Sequence, residues 1–320
     1  MTVLLAKELP VSSVYRLGIK YSHPAGTRSE PQTLFLKLSR ADAPKKLARA
    51  EVEFYQRAAP AISCPPLVRC YSSEYEEHTG RSHILLEDLS ATHSQPAEHH
   101  PPSESASRMA VEALANVHAA WWNDPRLGDQ VGRVFDDEWL AKFVADLEVS
   151  VTRFLDLVRG ELSPRELEAY GLMLRVAPYI WGRLTRRDGL TLTHGDAHWW
   201  NFLYPSDTAK GAVHIIDWQL WHIDLGARDL AFLIAAGGFA EPRPELEAGL
   251  LRQYHEALIA NGVYGYSWGD LMRDYRWSAI RNLNLPIIFH SQGKHESTWR
   301  AALRHSLDAF ERLKCAELIS

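Results

Sequence analysis

The sequence has few cysteines, and their spacing builds neither a metal site nor a disulfide framework. Only three occur in 320 residues, at Cys64, Cys70 and Cys315. Zinc sites and disulfide scaffolds need paired or clustered cysteines, so the sequence argues against both classes. The three thiols are therefore expected to be reduced packing residues of a cytosolic protein.

Long hydrophobic runs and an excess of positive charge are also missing. No stretch of the sequence reaches the roughly 18 uncharged apolar residues that a membrane span requires, and the apolar run in MTVLLAKELP is too short for a secretory signal. Acidic residues outnumber Lys and Arg by 40 to 35, a net charge of −5, whereas nucleic-acid binders are usually basic. We therefore expect a cytoplasmic protein that binds neither membranes nor nucleic acid.

The patterns that are present indicate an α+β protein with two domains. The length of 320 residues is sufficient for two compact domains. Residues 1–89 are strand-rich, with predicted strands at 13–21, 33–38, 68–75 and 82–89 and a helix at 43–58. The Ser-, Pro- and His-rich segment 90–107 marks a boundary. Residues 90–320 are mostly helical, with predicted helices at 108–122, 139–158, 164–185, 244–261 and 299–318 and one strand-like region at 191–217.

A motif suited to phosphoryl transfer lies in the strand-like region of the second domain. Asp196 is followed by four residues and then by Asn201, and the apolar run 213–216 leads to Asp217. This is the register of the kinase catalytic loop, in which the Asp accepts the proton of the substrate hydroxyl and the Asn holds a metal. Asp217 is the main candidate for holding Mg²⁺, because this hard cation prefers carboxylate oxygen. Asp and Asn are also common in turns, but the register of all three residues favours catalysis.

Lys37 stands in an otherwise apolar predicted strand. It could contact nucleotide phosphates while paired with Glu51 on the following helix. Alternatively, it could be an edge-strand lysine that discourages aggregation. The position of Glu51 favours the first interpretation, although Glu53 competes for the same role.

These motifs resemble those of the aminoglycoside phosphotransferase and choline-kinase-like superfamily of small-molecule kinases. The resemblance covers roughly residues 14–315, and the segments 51–55 and 86–89 look closest to its ecdysteroid-kinase-like branch. It implies a bilobal protein-kinase-like fold, with a small strand-rich N-lobe (1–89) and a larger, mostly helical C-lobe (90–320). It also implies Mg²⁺, ATP or GTP as phosphate donor, and a small hydroxylated acceptor. The matching pieces are His194-Gly195-Asp196 with Asn201, Ile216-Asp217-Trp218-Gln219, Asp224 and Asp229-Leu230-Ala231.

The resemblance also assigns roles to individual residues. The match Glu51-x-x-Phe54-Tyr55 selects Glu51 as the partner of Lys37. The segment from Leu85 to Leu89 would join the lobes and read the adenine edge through its main chain, although Glu87 and Asp88 could instead be solvated charges that end a strand. Asp229 would brace the turn of Asp196, although it could also be only a helix N-cap.

One departure from the kinase pattern concerns the cover over the phosphates. Kinases usually place a glycine-rich loop between their first two strands, but the corresponding segment, residues 8–13, contains no glycine. We therefore expect a short first strand, with Ser12 and Ser13 contacting phosphate. The missing glycines favour an alternative function, a non-catalytic pseudokinase that only binds nucleotide or another ligand. The intact set Asp196, Asn201 and Asp217 argues against it.

The sequence says less about the identity of the acceptor than about the type of reaction. Four tryptophans flank the motif: Trp199, Trp200, Trp218 and Trp221. At least two of them should pack in the interior. The others could line a pocket for a cation or an apolar substrate. The stretch 277–294, which is expected to be polar and irregular, is a second candidate lining. The sequence thus predicts a kinase that phosphorylates a hydroxyl of a small organic molecule. Antibiotics are among the possible acceptors. The protein is expected to act as a monomer or homodimer.

Overall fold

The structure, a computed structural model, describes residues 1–22, 30–62, 66–96, 102–208, 211–236 and 243–318. Cys64 and parts of the segments 13–33 and 90–107 lie outside the described residues. The first unit of the chain contains Met1–Pro96 and Trp200–Trp221, and the second contains Ala97–Trp199 and His222–Ser320. A division at residues 89 and 90 stays a prediction.

The described residues form strands and helices in the following order. The strands are β1 (Thr2–Glu8), β2 (Ser12–Gly18), β3 (Thr33–Ser39), β4 (Cys70–Glu76), β5 (Arg81–Glu87), β6 (His93–Ser94), β7 (Leu190–Thr193), β8 (Phe202–Pro205), β9 (His214–Ile215) and β10 (His222–Leu225). The helices are α1 (Lys45–Glu53), α2 (Glu104–Ala120), α3 (Asp137–Val158), α4 (Pro164–Gly182), α5 (Ala227–Leu230), α6 (Pro244–Ala260), α7 (Trp268–Asn282), α8 (Leu285–Ser291) and α9 (Glu296–Arg312). The predicted α+β class is confirmed.

The first unit is built on an antiparallel sheet with the strand order β1-β2-β3-β5-β4. Ile84 and Leu86 of β5 are buried while their neighbours are more exposed, the period-two pattern of a strand with one face on a core. The expectation of a short first strand is wrong, because β1 has seven residues, as many as β2. Every residue of β1 is exposed, so its sequence carries no burial pattern that could reveal it.

Helix α1 follows the sheet in the same unit. Ala48, Glu51 and Val52 are buried on it, and a wide π-type turn, Phe54–Ala58, extends it to the predicted end. A second sheet of the unit, with the order β6-β8-β9, leads the chain to the segment of Asp217.

The second unit is mainly helical, and two of its helices, α4 and α7, begin at capping boxes. The Ser163 and Ser267 side chains accept hydrogen bonds from the N–H groups of Glu166 and Asp270, which bond back in return. Such capping boxes satisfy backbone donors that the first helical turn leaves without partners. The stretch 277–294, predicted to be irregular, is instead largely helical and belongs to α7 and α8. No helix in the described part of the chain is long and apolar enough to cross a membrane.

Candidate active site

Lys37 lies at the centre of the first unit's sheet. Its strand, β3, pairs with β2 on one side and with β5 on the other, so the interpretation as an edge-strand lysine is wrong. The ammonium Nζ lies 2.7 Å from Glu51 Oε2 and 2.7 Å from Asp217 Oδ1. Glu53 instead accepts a hydrogen bond from Arg49 Nε at 3.0 Å. The structure thus pairs Lys37 with Glu51, the partner expected from the sequence, and adds Asp217.

Lys37, Glu51 and Asp217 form a charge cluster in which the charge of each side chain depends on the other two. Burial by itself lowers the pKa of Lys37, but the carboxylates of Glu51 and Asp217 outweigh burial and raise it. Burial raises the pKa of Glu51, and the neighbouring charge of Asp217 adds to the rise while Lys37 opposes it. The lysine therefore stays an ammonium at neutral pH, held between two acidic side chains.

Asp217 and Asn201 are brought together by the strand segment that follows β8. The N–H of Ile216 donates to the carbonyl of Asn201 at 3.0 Å, which places Asp217 one residue from that bond. Asp217 itself has φ 67° and ψ 60°, a left-handed conformation that is uncommon for residues other than glycine and that Asp and Asn tolerate best among them. Strained backbone of this kind persists only where its surroundings hold it, and it clusters at functional sites.

Two tryptophans fix this segment onto α1 and the turn after it. The Trp218 ring stacks on Phe54 with centroids 3.9 Å apart, and its Nε1 donates to the Ile215 carbonyl at 3.2 Å. Trp221 Nε1 donates to the carbonyl of Ala50 at 2.6 Å. Both rings are buried, so the expectation that at least two of the flanking tryptophans pack in the interior is confirmed.

The donor set at Asn201 and Asp217 fits a hard cation. Asn201 is 5% exposed, whereas the Asp217 side chain is 43% exposed and so open to a ligand. No group of three His, Cys, Asp or Glu side chains in the described chain could hold a metal by itself. Mg²⁺ is commonly bound by one or two protein oxygens together with phosphate oxygens and water. An amide oxygen and a carboxylate meet that requirement.

Asp196 follows β7 in the second unit, in a turn that is held by Asp229. Asp229 Oδ2 accepts from the N–H of His194 at 2.6 Å, and Oδ1 accepts from the N–H of Gly195 at 3.0 Å. His118 Nε2 lies 3.2 Å from Asp229 Oδ2. Gly195 has φ 80°, which favours glycine. The bracing bonds expected of Asp229 are therefore present.

The alternative for Asp229, an N-cap, is wrong. The residue lies inside α5, whose N-cap position belongs to Gly226. His194 is fully buried, and its Nδ1 accepts from the N–H of Asp196 at 3.2 Å. His194 therefore supports the turn as well.

The Asp196 carboxylate has a partner that the sequence did not indicate. His198 Nε2 lies 3.5 Å from Asp196 Oδ2, and the Asp196 side chain is 36% exposed. Burial raises the pKa of Asp196, but the hydrogen bond and charge of His198 outweigh burial and lower it. Asp196 is thus ionised at neutral pH, the form that accepts a proton.

Asp224 is the buried anchor of the strand beside β7. It receives two hydrogen bonds from Arg281, at 2.8 and 2.6 Å. Its strand, β10, pairs with β7, with His222 opposite Thr193. Burial opposes ionisation of Asp224, but the Arg281 guanidinium lowers its pKa strongly. This pair ties α7 to the strands next to Asp196.

Ser12 and Ser13 lie at the start of β2, after the turn from β1. Ser12 is 2% exposed, and the Ser13 hydroxyl donates to the Glu8 carboxylate at 2.9 Å. Glu8 also accepts from Arg40 Nη1 at 2.9 Å. The Ser13 donor is therefore already engaged, and a contact of this segment with phosphate stays a prediction.

Glu87 and Leu89 lie at and just beyond the end of β5. The N–H of Glu87 donates to the Arg69 carbonyl at 2.9 Å, and the Leu89 carbonyl accepts from the N–H of His93 at 2.9 Å. The N–H of Leu89 donates to no other group of the described residues. The role of this segment in reading the adenine edge stays a prediction.

A neighbouring ion pair was missed by the sequence interpretation. Arg16 Nε lies 2.6 Å from Asp88 Oδ2, and the Asp88 side chain is 1% exposed. Burial raises the pKa of Asp88, but hydrogen bonds from Ser90 and Arg16 lower it to about 2. Asp88 therefore anchors the end of β5 to β2. No local pattern could have paired residues so far apart in sequence.

Comparisons with known proteins concern the family and the fold of the chain. The sequence model described as "Phosphotransferase enzyme family" matches residues 25–269. No curated protein sequence matches the chain significantly.

Similar solved structures extend the agreement in fold to nearly the whole chain. A choline/ethanolamine kinase family protein from Mesorhizobium loti has 17% identity and a TM-score of 0.55, over 100% of this chain and 89% of that chain. A spectinomycin phosphotransferase in complex with ADP and spectinomycin has 12% identity and a TM-score of 0.52, over 99% and 92%. A GDP complex of aminoglycoside 2'-phosphotransferase-IIIa has 13% identity and a TM-score of 0.55, over 97% and 95%. At such identities the likeness concerns the fold, which is the expected protein-kinase-like one.

Proposed function

Because the chain belongs to the phosphotransferase enzyme family, we propose that it transfers the γ-phosphate of ATP or GTP to a hydroxyl of a small organic molecule. The observation that carries the proposal is the Lys37 ammonium, held at 2.7 Å from both Glu51 and Asp217. In kinases a lysine held by a glutamate contacts the nucleotide phosphates. The ADP and GDP complexes of the similar structures support a nucleotide donor.

Asp196 is the proposed base. The acceptor oxygen attacks the γ-phosphorus while its proton passes to the Asp196 carboxylate, and the bond from the γ-phosphorus to the β–γ bridging oxygen breaks. The nucleoside diphosphate leaves with that oxygen. Asp196 is ionised at neutral pH, the form that can accept the proton, although a lowered pKa makes it a weaker base than an ordinary Asp. Positioned acid–base groups contribute about 10²–10⁴-fold in rate.

Asn201 and Asp217 are the proposed metal-holding residues. Mg²⁺ bound there would neutralise charge on the phosphate oxygens. Asp217 offers an exposed carboxylate whose backbone is held by Trp218, while the Lys37 ammonium limits how far that carboxylate can turn. Asn201 supplies a neutral oxygen.

The test is phosphate transfer from Mg-ATP or Mg-GTP to a panel of alcohols that includes aminoglycosides, amino alcohols, sugars and steroid-like alcohols. We expect acceptor-dependent release of nucleoside diphosphate by the wild type. An aminoglycoside product would support a role in antibiotic resistance. Full turnover by Asp196→Ala on the true acceptor would refute the base assignment.

A non-catalytic nucleotide-binding protein is the second candidate. The observation that favours it is the turn between β1 and β2, where residues 8–13 contain no glycine. Nucleotide binding without metal-dependent turnover across the whole panel would establish this alternative.

A further inference from the structure

A buried set of hydrogen bonds supports the turn of Asp196 within the second unit. The hydroxyl oxygen of Tyr254 on α6 lies 2.7 Å from Nδ1 of His118 on α2. His118 Nε2 lies 3.2 Å from Asp229 Oδ2, the oxygen that accepts from the N–H of His194. The side chains of Tyr254, His118 and Asp229 are at most 1% exposed. These three residues form the buried network.

The hydrogen-bonding capacity of each member determines where the hydrogens lie. The ionised Asp229 carboxylate only accepts hydrogen bonds, so His118 Nε2 carries the hydrogen that reaches it. Burial raises the pKa of Tyr254 well above its ordinary value, and the phenol therefore keeps its proton. Nδ1 of His118 is the one acceptor for that proton among the described residues, and a buried hydroxyl without an acceptor is costly. At neutral pH the imidazole is thus held in the tautomer with its hydrogen on Nε2 and its lone pair on Nδ1.

His118 is also fixed through its main chain. Its carbonyl accepts from the Thr191 hydroxyl at 2.6 Å, and Thr191 lies on β7, the strand that leads to Asp196. His118 therefore contacts the strand before the turn with its backbone and the carboxylate of Asp229 with its side chain. A change in the orientation of the imidazole would alter the position of that carboxylate.

Gly226 leaves the space that the buried network needs. A Cβ at this position would lie 2.4 Å from the Tyr254 hydroxyl oxygen and 2.9 Å from His118 Nδ1, both too close for atoms that are not bonded. Its backbone has φ −56° and ψ −31°, an ordinary helical conformation that other residues adopt. The glycine is therefore required by the close approach of the two side chains and not by its backbone geometry.

We propose that Tyr254 is a positioning residue for Asp196: its hydroxyl fixes the tautomer of His118, and the imidazole thereby orients the Asp229 carboxylate that holds the turn. The inference rests on the proposed phosphotransferase function, in which Asp196 is the base. It gives a fully buried side chain of α6 an influence on turnover without contact with any ligand.

The first arm of the test measures the buried network without catalysis. Tyr254→Phe removes only the hydroxyl. Tyr275→Phe is the matched control, because Tyr275 is equally buried and donates to Glu247 at 2.7 Å, outside the network. Nitrogen-15 NMR of the histidine side chains should show a hydrogen on Nε2 and none on Nδ1 of His118 in the wild type. The His118 signals are assigned by their absence from the spectrum of His118→Gln.

Hydrogen exchange at the main-chain amides of His194 and Gly195 then measures how firmly the turn is held. We expect both amides to exchange about three- to tenfold faster in Tyr254→Phe than in Tyr275→Phe, the range that one buried hydrogen bond provides. Thermal melting verifies that each variant is folded. Equal exchange in the two variants, or a wild-type imidazole with its hydrogen on Nδ1 alone, would overturn the proposal.

The second arm measures turnover. Tyr254→Phe should lower kcat by about three- to tenfold and leave the Kd of the nucleotide unchanged, while Tyr275→Phe keeps the kcat of the wild type. His118→Gln retains an amide N–H that can donate to Asp229, so it should keep more of the wild-type kcat than His118→Leu, which has no donor. Equal losses of kcat in the two His118 variants would overturn the proposal.

Gly226→Ala should disturb the buried network without removing a hydrogen-bonding group. Its kcat should fall at least as far as that of Tyr254→Phe. The control is Gly171→Ala, because a Cβ there would meet only the Arg175 guanidinium, at 3.5 Å. An unchanged kcat in Gly226→Ala would overturn the role of the Tyr254 hydroxyl. Failure of the proposed function has a different signature: neither the wild type nor any variant phosphorylates an acceptor, although amide exchange still responds to Tyr254→Phe.

Discussion

The two units hold their functional carboxylates by different physical means. In the first unit an ammonium holds two acids, with Lys37 at 2.7 Å from both Glu51 and Asp217. In the second unit an acid holds the backbone of the Asp196 turn, since Asp229 accepts hydrogen bonds from the N–H groups of His194 and Gly195. The first arrangement is a balance of charge between one ammonium and two carboxylates. The second is a fixed geometry that positions Asp196.

This difference predicts which variants alter catalysis and which alter stability. Residues of the charge cluster should change nucleotide binding and turnover while the protein stays folded. Asp229 should change both, because buried groups that lose a charged partner are costly. Asp196, which is partly exposed, should change turnover alone.

The largest effect is expected at Asp196. Asp196→Ala removes the proposed base and should lower kcat by about 10²–10⁴-fold, with little change in the thermal melting temperature. Steady-state kinetics on the true acceptor and thermal unfolding provide the two measurements. Asp188→Asn, at an exposed turn before the same strand, is the control and should behave like the wild type. A large loss of stability in Asp196→Ala would contradict the prediction that Asp196 affects turnover alone while Asp229 affects both turnover and stability.

The next effect is expected at Asp229. Asp229→Ala leaves two backbone donors and His118 without their partner, so the free energy of unfolding should fall by about 3 kcal/mol. The turnover should fall as well, since the turn of Asp196 loses its support. Chemical denaturation and kinetics would measure both. Unchanged stability would show that Asp229 does not hold the turn.

The stabilising effect of Asp229 should also depend on pH. Burial opposes its ionisation, but the hydrogen bond and charge of His118 outweigh burial and lower the pKa of Asp229 below its ordinary value of 3.8. A carboxylate of this kind stabilises the fold above its unfolded pKa, and this stabilisation is lost as the pH falls through the folded pKa. The difference in unfolding free energy between the wild type and Asp229→Asn should therefore be constant near neutrality and shrink below that value. A difference that grows on acidification would contradict this account.

A smaller effect is expected in the charge cluster. Lys37→Met should lower kcat/KM for the nucleotide by about 10–100-fold, the value of a hydrogen bond to a charged group. Glu51→Gln should lower kcat/KM for the nucleotide by a smaller factor, because Asp217 still holds the lysine. Glu53→Gln, two residues further on the same helix, is the matched control and should stay within about twofold. Equal effects of the Glu51 and Glu53 variants would contradict the assignment of Glu51 as the partner of Lys37.

The smallest effect is expected at the turn between β1 and β2. Ser13→Ala should raise the KM of the nucleotide by less than about threefold, because the hydroxyl donates to Glu8 at 2.9 Å and exposed hydrogen bonds contribute little. A tenfold increase would instead show that Ser13 contacts phosphate, as the sequence predicts.

The sequence revealed the elements whose signals are local. The register from Asp196 to Asn201 and Asp217 and the lone charge of Lys37 were visible because each is written in a short stretch. Strand β1 was expected to be short, and its full length was not visible because all of its residues are exposed, so burial imposes no alternation on it. The pairing of Arg16 with Asp88 was missed because the partners are 72 positions apart.

Two of the tryptophans beside the motif pack in the interior, as expected, and the role of the others stays a prediction. Trp218 and Trp221 lie beside the motif in sequence but serve as packing residues against Phe54 and Ala50.

The most direct test of the central claim is the effect of Mg²⁺ on nucleotide affinity in the wild type and in Asp217→Asn. Asn tolerates the left-handed backbone of this position and keeps the side-chain shape, so the variant removes mainly the charge. If Asp217 holds the metal against the phosphates, Mg²⁺ should tighten binding of ATP or GTP by about tenfold or more in the wild type and hardly at all in the variant. An equal magnesium effect in both proteins would contradict the assignment of Asp217 as the metal-holding carboxylate.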